Sequence, residues 1–281
     1  MEGQSATIPP QNSQSTDEAD ELRPFEPSLR VLVAEDNSLN QFVVCKTLEA
    51  WNVQVTLADN GRLAVQAAHQ AAFDLILMDV QMPELDGYEA SRQLRTHFPD
   101  IQALPIVGLT ASALPEDRAL ALAAGMNDIL IKPFKPALLY ASLAHYTGRP
   151  HHSHNLSLPS PKQPVDLAST PVLDWTLLEE LAGSNTFFVP QFIRALLQQA
   201  PLLLSELAAA AASNDGHALA RTAHKLKGQV AYLGVTALSG QLEQLEQACQ
   251  ATSNADYRLV VSALATHWQL LTPQLKARLS A

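Results

Sequence analysis

Three acidic residues stand at the ends of short apolar runs. Glu35 and Asp36 follow Arg30–Ala34 directly, and Asp79 follows Asp74–Met78. If those runs are neighbouring parallel strands, their carboxyl ends converge and the three carboxylates meet. Clustered carboxylates repel one another unless a proton or a cation intervenes. A hard divalent cation such as Mg2+, held by a few carboxylates and several waters, answers that need. Two further runs end in useful groups: Leu104–Leu109 leads into the hydroxyl of Thr110, and Asp128–Ile131 into the ammonium of Lys132. Acids, one hydroxyl and one ammonium on a single rim can hold a tetrahedral anion. Mg2+ and Lys132 would neutralise its oxygens, and Thr110 would donate to one of them. Asp79, at the centre, is the natural nucleophile.

A second constellation lies in the segment Asp215–Leu233, which reads as a helix. Leu219, Ala223, Leu226, Val230 and Leu233 make one apolar stripe. At about 100° per residue, His224 lies roughly 160° away from Leu226 and points outward. Its neighbours on that face, Ala220, Gly228 and Ala231, are all small. Glycine within a helix costs roughly 1 kcal/mol relative to alanine. Gly228 therefore suggests that a foreign backbone or a phosphoryl group must come close. Lys225 and Lys227 supply positive charge for such a group, and Arg221 adds more. Imidazole is mostly neutral near pH 7, so His224 needs no special base to attack. A lone exposed histidine on a helix is usually only solvated. His217 lies on the same face but lacks the Lys-Gly context.

These groups require particular elements to position them. Within residues 30–148, five short apolar runs alternate with helical stretches, which predicts an α/β, flavodoxin-like doubly wound parallel sheet of order 2-1-3-4-5. Residues 171–281 read as helices throughout, with Asn214–Asp215 as an N-cap region and Gly234 as a stop, which predicts an all-α bundle. Residues 149–170 are rich in Pro, Ser and His and read as a linker; His151, His152 and His154 within it lack partner ligands for a metal. Residues 1–29, acidic and rich in Gln, Ser and Pro, read as a disordered tail.

Composition narrows the function further. The formal net charge of −10 argues against nucleic acid as the main partner. No apolar run approaches the ~18 residues of a membrane helix, so no membrane partner is expected. The N-terminus lacks the apolar core of a secretory signal. Cys45 and Cys249, far apart and in no metal spacing, read as buried small hydrophobes in a reducing, cytoplasmic setting.

The motifs carry two resemblances. Val33-Ala34-Glu35-Asp36-Asn37, Leu77-Met78-Asp79-Val80-Gln81-Met82-Pro83-Glu84-Leu85-Asp86-Gly87, Leu109-Thr110-Ala111 and Lys132-Pro133-Phe134 resemble the receiver domain of two-component response regulators. The resemblance implies that Asp79 accepts phosphate and that Glu35, Asp36, Asp79 and the backbone carbonyl of Gln81 hold Mg2+. It also implies that Lys132 pairs with the acyl phosphate, that Thr110 moves toward it, and that the Lys132–Pro133 bond is cis. One position departs from the family, which often has Tyr or Phe where this chain has Ile129. Leu173-Asp174-Trp175, Phe187-Phe188, Ala223-His224-Lys225-Leu226-Lys227-Gly228 and Tyr232-Leu233-Gly234 resemble a histidine-containing phosphotransfer (HPt) domain. That implies a phosphoryl group carried on His224, supported by Lys225, Lys227 and Gly228. The family's small hydroxyl residues after Lys-Gly are replaced by Gln229 and Val230.

Together the resemblances imply a phosphorelay intermediate. A sensor histidine kinase would supply the phosphoryl group, and other receiver domains would exchange it with His224. The alternatives are a phosphate sink, a docking adaptor without turnover, or the C-terminal portion of a hybrid sensor kinase. No glycine-rich nucleotide loop is present, so a phosphotransfer protein without a kinase ATP site is expected, and whether it counts as an enzyme stays open. A flexible 22-residue linker spans about 25 Å root-mean-square, which lets Asp79 and His224 meet within one chain.

Overall fold

The computed structural model describes residues 22–111, 114–149, 173–250 and 257–280. The expected linker beyond Arg149 and most of the expected acidic tail lie outside them, as do His151, His152 and His154.

Five parallel strands form one sheet: β1 (Leu29–Ala34), β2 (Val53–Ala58), β3 (Leu75–Asp79), β4 (Ile106–Thr110) and β5 (Asp128–Ile131). Their order is β2-β1-β3-β4-β5. Helices alternate with them: α1 (Ser38–Glu49), α2 (Gly61–Gln70), α3 (Gly87–His97), α4 (Pro115–Ala123) and α5 (Pro136–Tyr146). The central strands are buried on both faces, which is why they read as continuous apolar runs rather than alternating ones. Alternate residues still divide between two cores. Val31, Val33, Leu75, Leu77, Val107 and Leu109 pack with Val44, Leu48, Leu139 and Leu143 of α1 and α5. Leu32, Ile76, Met78 and Ile106 pack with Ala64, Ala90, Leu94 and Ala121 of α2, α3 and α4. β4 begins after Pro105 rather than at Leu104, since a proline nitrogen cannot join a ladder.

The chain is already packed before Arg30, the expected start of this unit. Phe25 is buried, its amide donates to the Trp51 carbonyl at 2.9 Å, and its ring stacks on Tyr140. One aromatic in an otherwise polar, acidic stretch is enough to carry residues next to β1 onto the fold.

The second unit is helical: α6 (Thr176–Ala182), α7 (Phe188–Ser213), α8 (Gly216–Val230), α9 (Thr236–Gln250) and α10 (Arg258–Ser280), with a short 3-10 turn at Ala231–Leu233. Asp215 caps α8 by accepting from the Ala218 amide, and Gly234 takes the left-handed conformation that ends the turn. The apolar stripe of α8 is buried throughout, against Phe192, Leu196, Leu238, Leu242 and Leu264 of its neighbours. α6 starts at Thr176, where the Asp174 carboxylate accepts from its amide.

One expectation needs correction, and one helix bears on another. α7 is long and apolar enough, by length and composition, to meet the criterion for a membrane span. Its apolar residues nevertheless form a stripe, with Phe192, Ile193, Leu196 and Leu207 in the bundle core. Arg194 and Glu206 place charges within α7, and the helix runs unbroken through Pro201. Cys45 and Cys249 are free thiols, half-buried rather than fully buried. Burial raises the pKa of both.

The two units touch through α1. Leu39 and Val43 belong to the core of the helical bundle, and the Phe42 ring stacks on Phe188 at 5.4 Å. α1 is apolar on both sides, Val44 and Leu48 facing the sheet and Leu39 and Val43 facing the bundle.

Candidate functional site

The acidic triad forms as the strand order requires. β1 and β3 are neighbours, with Ala34 paired to Met78, so Glu35, Asp36 and Asp79 emerge side by side. One ligand oxygen from each lies within 4.8 Å of the others. Glu35 and Asp79 are almost wholly buried. Gly87 makes the tight approach beside them possible, since a Cβ there would stand 2.1 Å from the Asp79 carbonyl oxygen.

Lys132 emerges from β5 and donates to Asp79 Oδ2 at 2.8 Å and to Glu35 Oε2 at 3.0 Å. The Lys132–Pro133 bond is cis. Burial alone would lower the pKa of Lys132, but the Asp79 and Glu35 carboxylates more than offset it and hold the ammonium charged. Asp79 is pushed up to about 7, first by burial and then by Glu35, with Lys132 and His224 pulling the other way. Lys132 and, from the helical unit, Lys225 set two ammoniums against three carboxylates, so the donor set retains a surplus negative charge that suits a hard divalent cation.

Around this rim, Asn40 Nδ2 donates to Glu35 Oε1 at 3.0 Å, and the Gln81 amide donates to Asp79 Oδ1 at 3.2 Å. Thr110 is buried at the end of β4, and its carbonyl accepts from the Lys132 amide. Ile129 is partly buried on the core beside Gly108, where a Cβ would stand 3.2 Å from Ile129 Cγ2.

His224 does not project into solvent. It lines the same cavity of about 240 Å3 as Glu35, Asp36, Asp79 and Lys132. The two sets of groups, far apart in sequence, therefore share one cleft. A larger groove of about 1060 Å3 continues from it past Met82, Tyr88 and Arg221. His217 is exposed and lines neither space.

The lysines beside His224 are engaged. Lys225 Nζ lies 2.8 Å from Asp36 Oδ2, across the boundary between the units. Lys227 Nζ lies 2.8 Å from Glu246 Oε2. That same oxygen of Glu246, on α9, is 3.6 Å from His224 Nδ1, and Nδ1 is buried with no hydrogen-bond partner among the described residues. Sequence reading missed Glu246 because it reaches the histidine from another helix. Gly228 faces α1 closely, with Asn40 Nδ2 only 3.2 Å from where a Cβ would stand. Asn37 Nδ2 donates to the Lys225 carbonyl at 3.0 Å, and Gln229 Nε2 donates to Asn37 Oδ1 at 3.3 Å.

The sequence matches two families in succession. Residues 31–144 match the response regulator receiver domain, and residues 191–281 match the Hpt domain. The chain thus joins a receiver domain to an Hpt domain, the combination that its sheet and helical bundle present. Among curated relatives, it is 30% identical over 220 residues to the signal transduction histidine-protein kinase BarA of Escherichia coli strain K12, covering 78% of this chain and 24% of BarA. It is 33% identical over 227 residues to the sensor protein GacS of Pseudomonas syringae, covering 79% of this chain and 24% of GacS. The chain therefore spans about a quarter of the length of these relatives. A solved structure, the receiver domain of sensor histidine kinase PA1611 from Pseudomonas aeruginosa with a magnesium ion in its active-site cleft, is 43% identical. It covers 43% of this chain and 98% of its own, with a TM-score of 0.41.

Proposed function

We propose that this chain is a phosphorelay intermediate that moves a phosphoryl group between Asp79 and His224. The carrying observation is that both residues line one cleft, Asp79 held by Lys132 and His224 backed by Glu246. In the first step a carboxylate oxygen of Asp79 attacks phosphorus. The donor is phosphohistidine of a sensor histidine kinase; its N–P bond breaks and an O–P bond forms. In the second step a ring nitrogen of His224 attacks; the O–P bond breaks, an N–P bond forms, and the Asp79 carboxylate is regenerated. Glu246 faces Nδ1, which favours a proton there and leaves the lone pair on Nε2. Lys132 keeps an ammonium beside the phosphorylated oxygen, and Thr110 supplies a hydroxyl at the rim.

Glu35, Asp36, Asp79 and the Gln81 carbonyl would hold Mg2+. When bound, the ion supplies charge neutralisation at the phosphoryl oxygens. Other receiver domains are the proposed exchange partners of His224 once the docked units part. The paired relatives are sensor kinases, which supports reading this chain as a portion of such a relay, and its free thiols suit a reducing, cytoplasmic compartment. Residues 30–148 and 171–281 are the proposed working domains, joined by 149–170.

The test uses acetyl phosphate and Mg2+ with the wild type, Asp79→Asn and His224→Ala, followed on phosphate-affinity gels. The relay predicts no label on Asp79→Asn, an alkali-labile label on His224→Ala, and an additional acid-labile label on the wild type. A label that stays on Asp79, even with added receiver domains, supports the adaptor instead. Rapid loss of phosphate from Asp79 without any on His224 supports the sink.

A further inference from the structure

The ion pair between Lys225 and Asp36 links the bundle to the acidic triad itself. Each of the three carboxylates has one oxygen engaged by an ammonium: Glu35 Oε2 and Asp79 Oδ2 by Lys132, Asp36 Oδ2 by Lys225. The two lysines differ in how firmly they sit. The Lys132 side chain is 6% exposed, rooted at the end of β5 and bonded twice. The Lys225 side chain is 36% exposed, makes one ion pair, and stands on the other domain. A cation that draws on the Asp36 carboxylate must share it with the Lys225 ammonium or displace it.

We propose that Lys225 is a built-in competitor for the divalent-cation site, so that cation loading and docking of the two domains oppose one another. The proposal rests on the reading above that the triad holds such a cation. Linkage makes the opposition reciprocal: whatever factor docking takes from cation affinity, the cation takes from docking. Docking is weakened rather than abolished, because the Asn37 side chain still donates to the Lys225 carbonyl and Leu39, Phe42 and Val43 still pack on the bundle. Once released, the Lys225 side chain is one residue from His224 and free to meet a phosphoryl group.

The experiment titrates MgCl2 into the full chain by calorimetry, without any phosphodonor, for the wild type, Lys225→Met and Lys225→Arg. Small-angle scattering follows the same titrations. Lys225→Met is expected to bind Mg2+ on the order of five- to tenfold more tightly, as typical coupling energies allow. Lys225→Arg, which keeps the charge, is expected to stay near the wild type. The wild type is expected to expand as it fills. Equal Mg2+ affinity in the wild type and Lys225→Met overturns the competition but leaves the cation site standing. No Mg2+ binding by any of the three overturns the cation site and the competition together.

Discussion

At the scale of single residues, Lys132 is the group on which the receiver site depends. Removing it leaves Glu35 and Asp79 buried without an ammonium. Loss of one partner from a buried pair typically costs about 3–5 kcal/mol. Lys132→Met is therefore expected to lower the unfolding free energy by about 3 kcal/mol in urea, with no Mg2+ present. The sign with pH follows from Asp79, whose pKa stands near 7. Lys132 holds that value down, so Asp79 of the variant is pushed further up; the deficit is smallest below pH 7, where Asp79 is protonated with or without the lysine, and it grows as pH rises through 7 and only the wild-type carboxylate ionises. Glu246 stands at the other end of the proposed transfer, 3.6 Å from His224 Nδ1. Glu246→Ala removes that carboxylate and is expected to slow phosphorylation of His224 about tenfold, a change of about 1.4 kcal/mol in the barrier. Glu246→Gln, whose amide oxygen can still face Nδ1, is expected to restore most of the rate. Nitrogen chemical shifts of the ring would show the Nδ1-protonated form losing population only in the alanine variant. Glu35, Asp36, Asp79 and Lys132 were legible in the sequence because each ends a strand. Glu246 was not, since nothing local to α9 marks it and its meaning comes from packing against α8.

At the scale of elements, α1 and α8 carry the contact on which the proposed transfer rests. The stripe on α8 was legible, and Leu226 is almost fully buried in it. Leu226→Ala is expected to cost about 2–5 kcal/mol of bundle stability in a denaturant titration. Gly228 behaves differently. It faces Asn40 rather than the bundle core, so Gly228→Leu is expected to leave the bundle folded by circular dichroism while pushing α1 away. Transfer from Asp79 to His224 should then fall at least about tenfold, because misplacing the reacting atoms by an ångström or so can cost a hundredfold. A Gly228→Leu chain that transfers at the wild-type rate would remove the docked contact from the account. The second face of α1 was present in the sequence but easily overlooked. Leu39, Phe42 and Val43 stand on a different side of the helix from Val44 and Leu48, and a helix with two apolar sides has two neighbours to bury them against. The receiver fold accounts for only the Val44 and Leu48 side; the remainder had to wait for the bundle.

At the scale of the whole molecule, the order of the two domains and their chemistry were readable, whereas their mutual position was not. Sequence spacing limits how far apart the units can stand, and a short tether places them at an effective concentration on the order of millimolar. It does not say which faces meet. The structure brings them together through apolar contact at α1, the Lys225–Asp36 ion pair and the Asn37–Lys225 hydrogen bond. A mixed contact of this kind opens more readily than a wholly apolar one, and its ion pair is screened by salt. The central claim is that Asp79 passes its phosphoryl group to His224 of the same chain. The most direct measurement is the rate of acid-labile label appearing on His224, followed after a short exposure to acetyl phosphate, over a hundredfold range of protein concentration. Transfer within the chain predicts a first-order rate that does not change across the range, and no transfer at the lowest concentration when Asp79→Asn is mixed with His224→Ala. A rate that rises in proportion to concentration would contradict it.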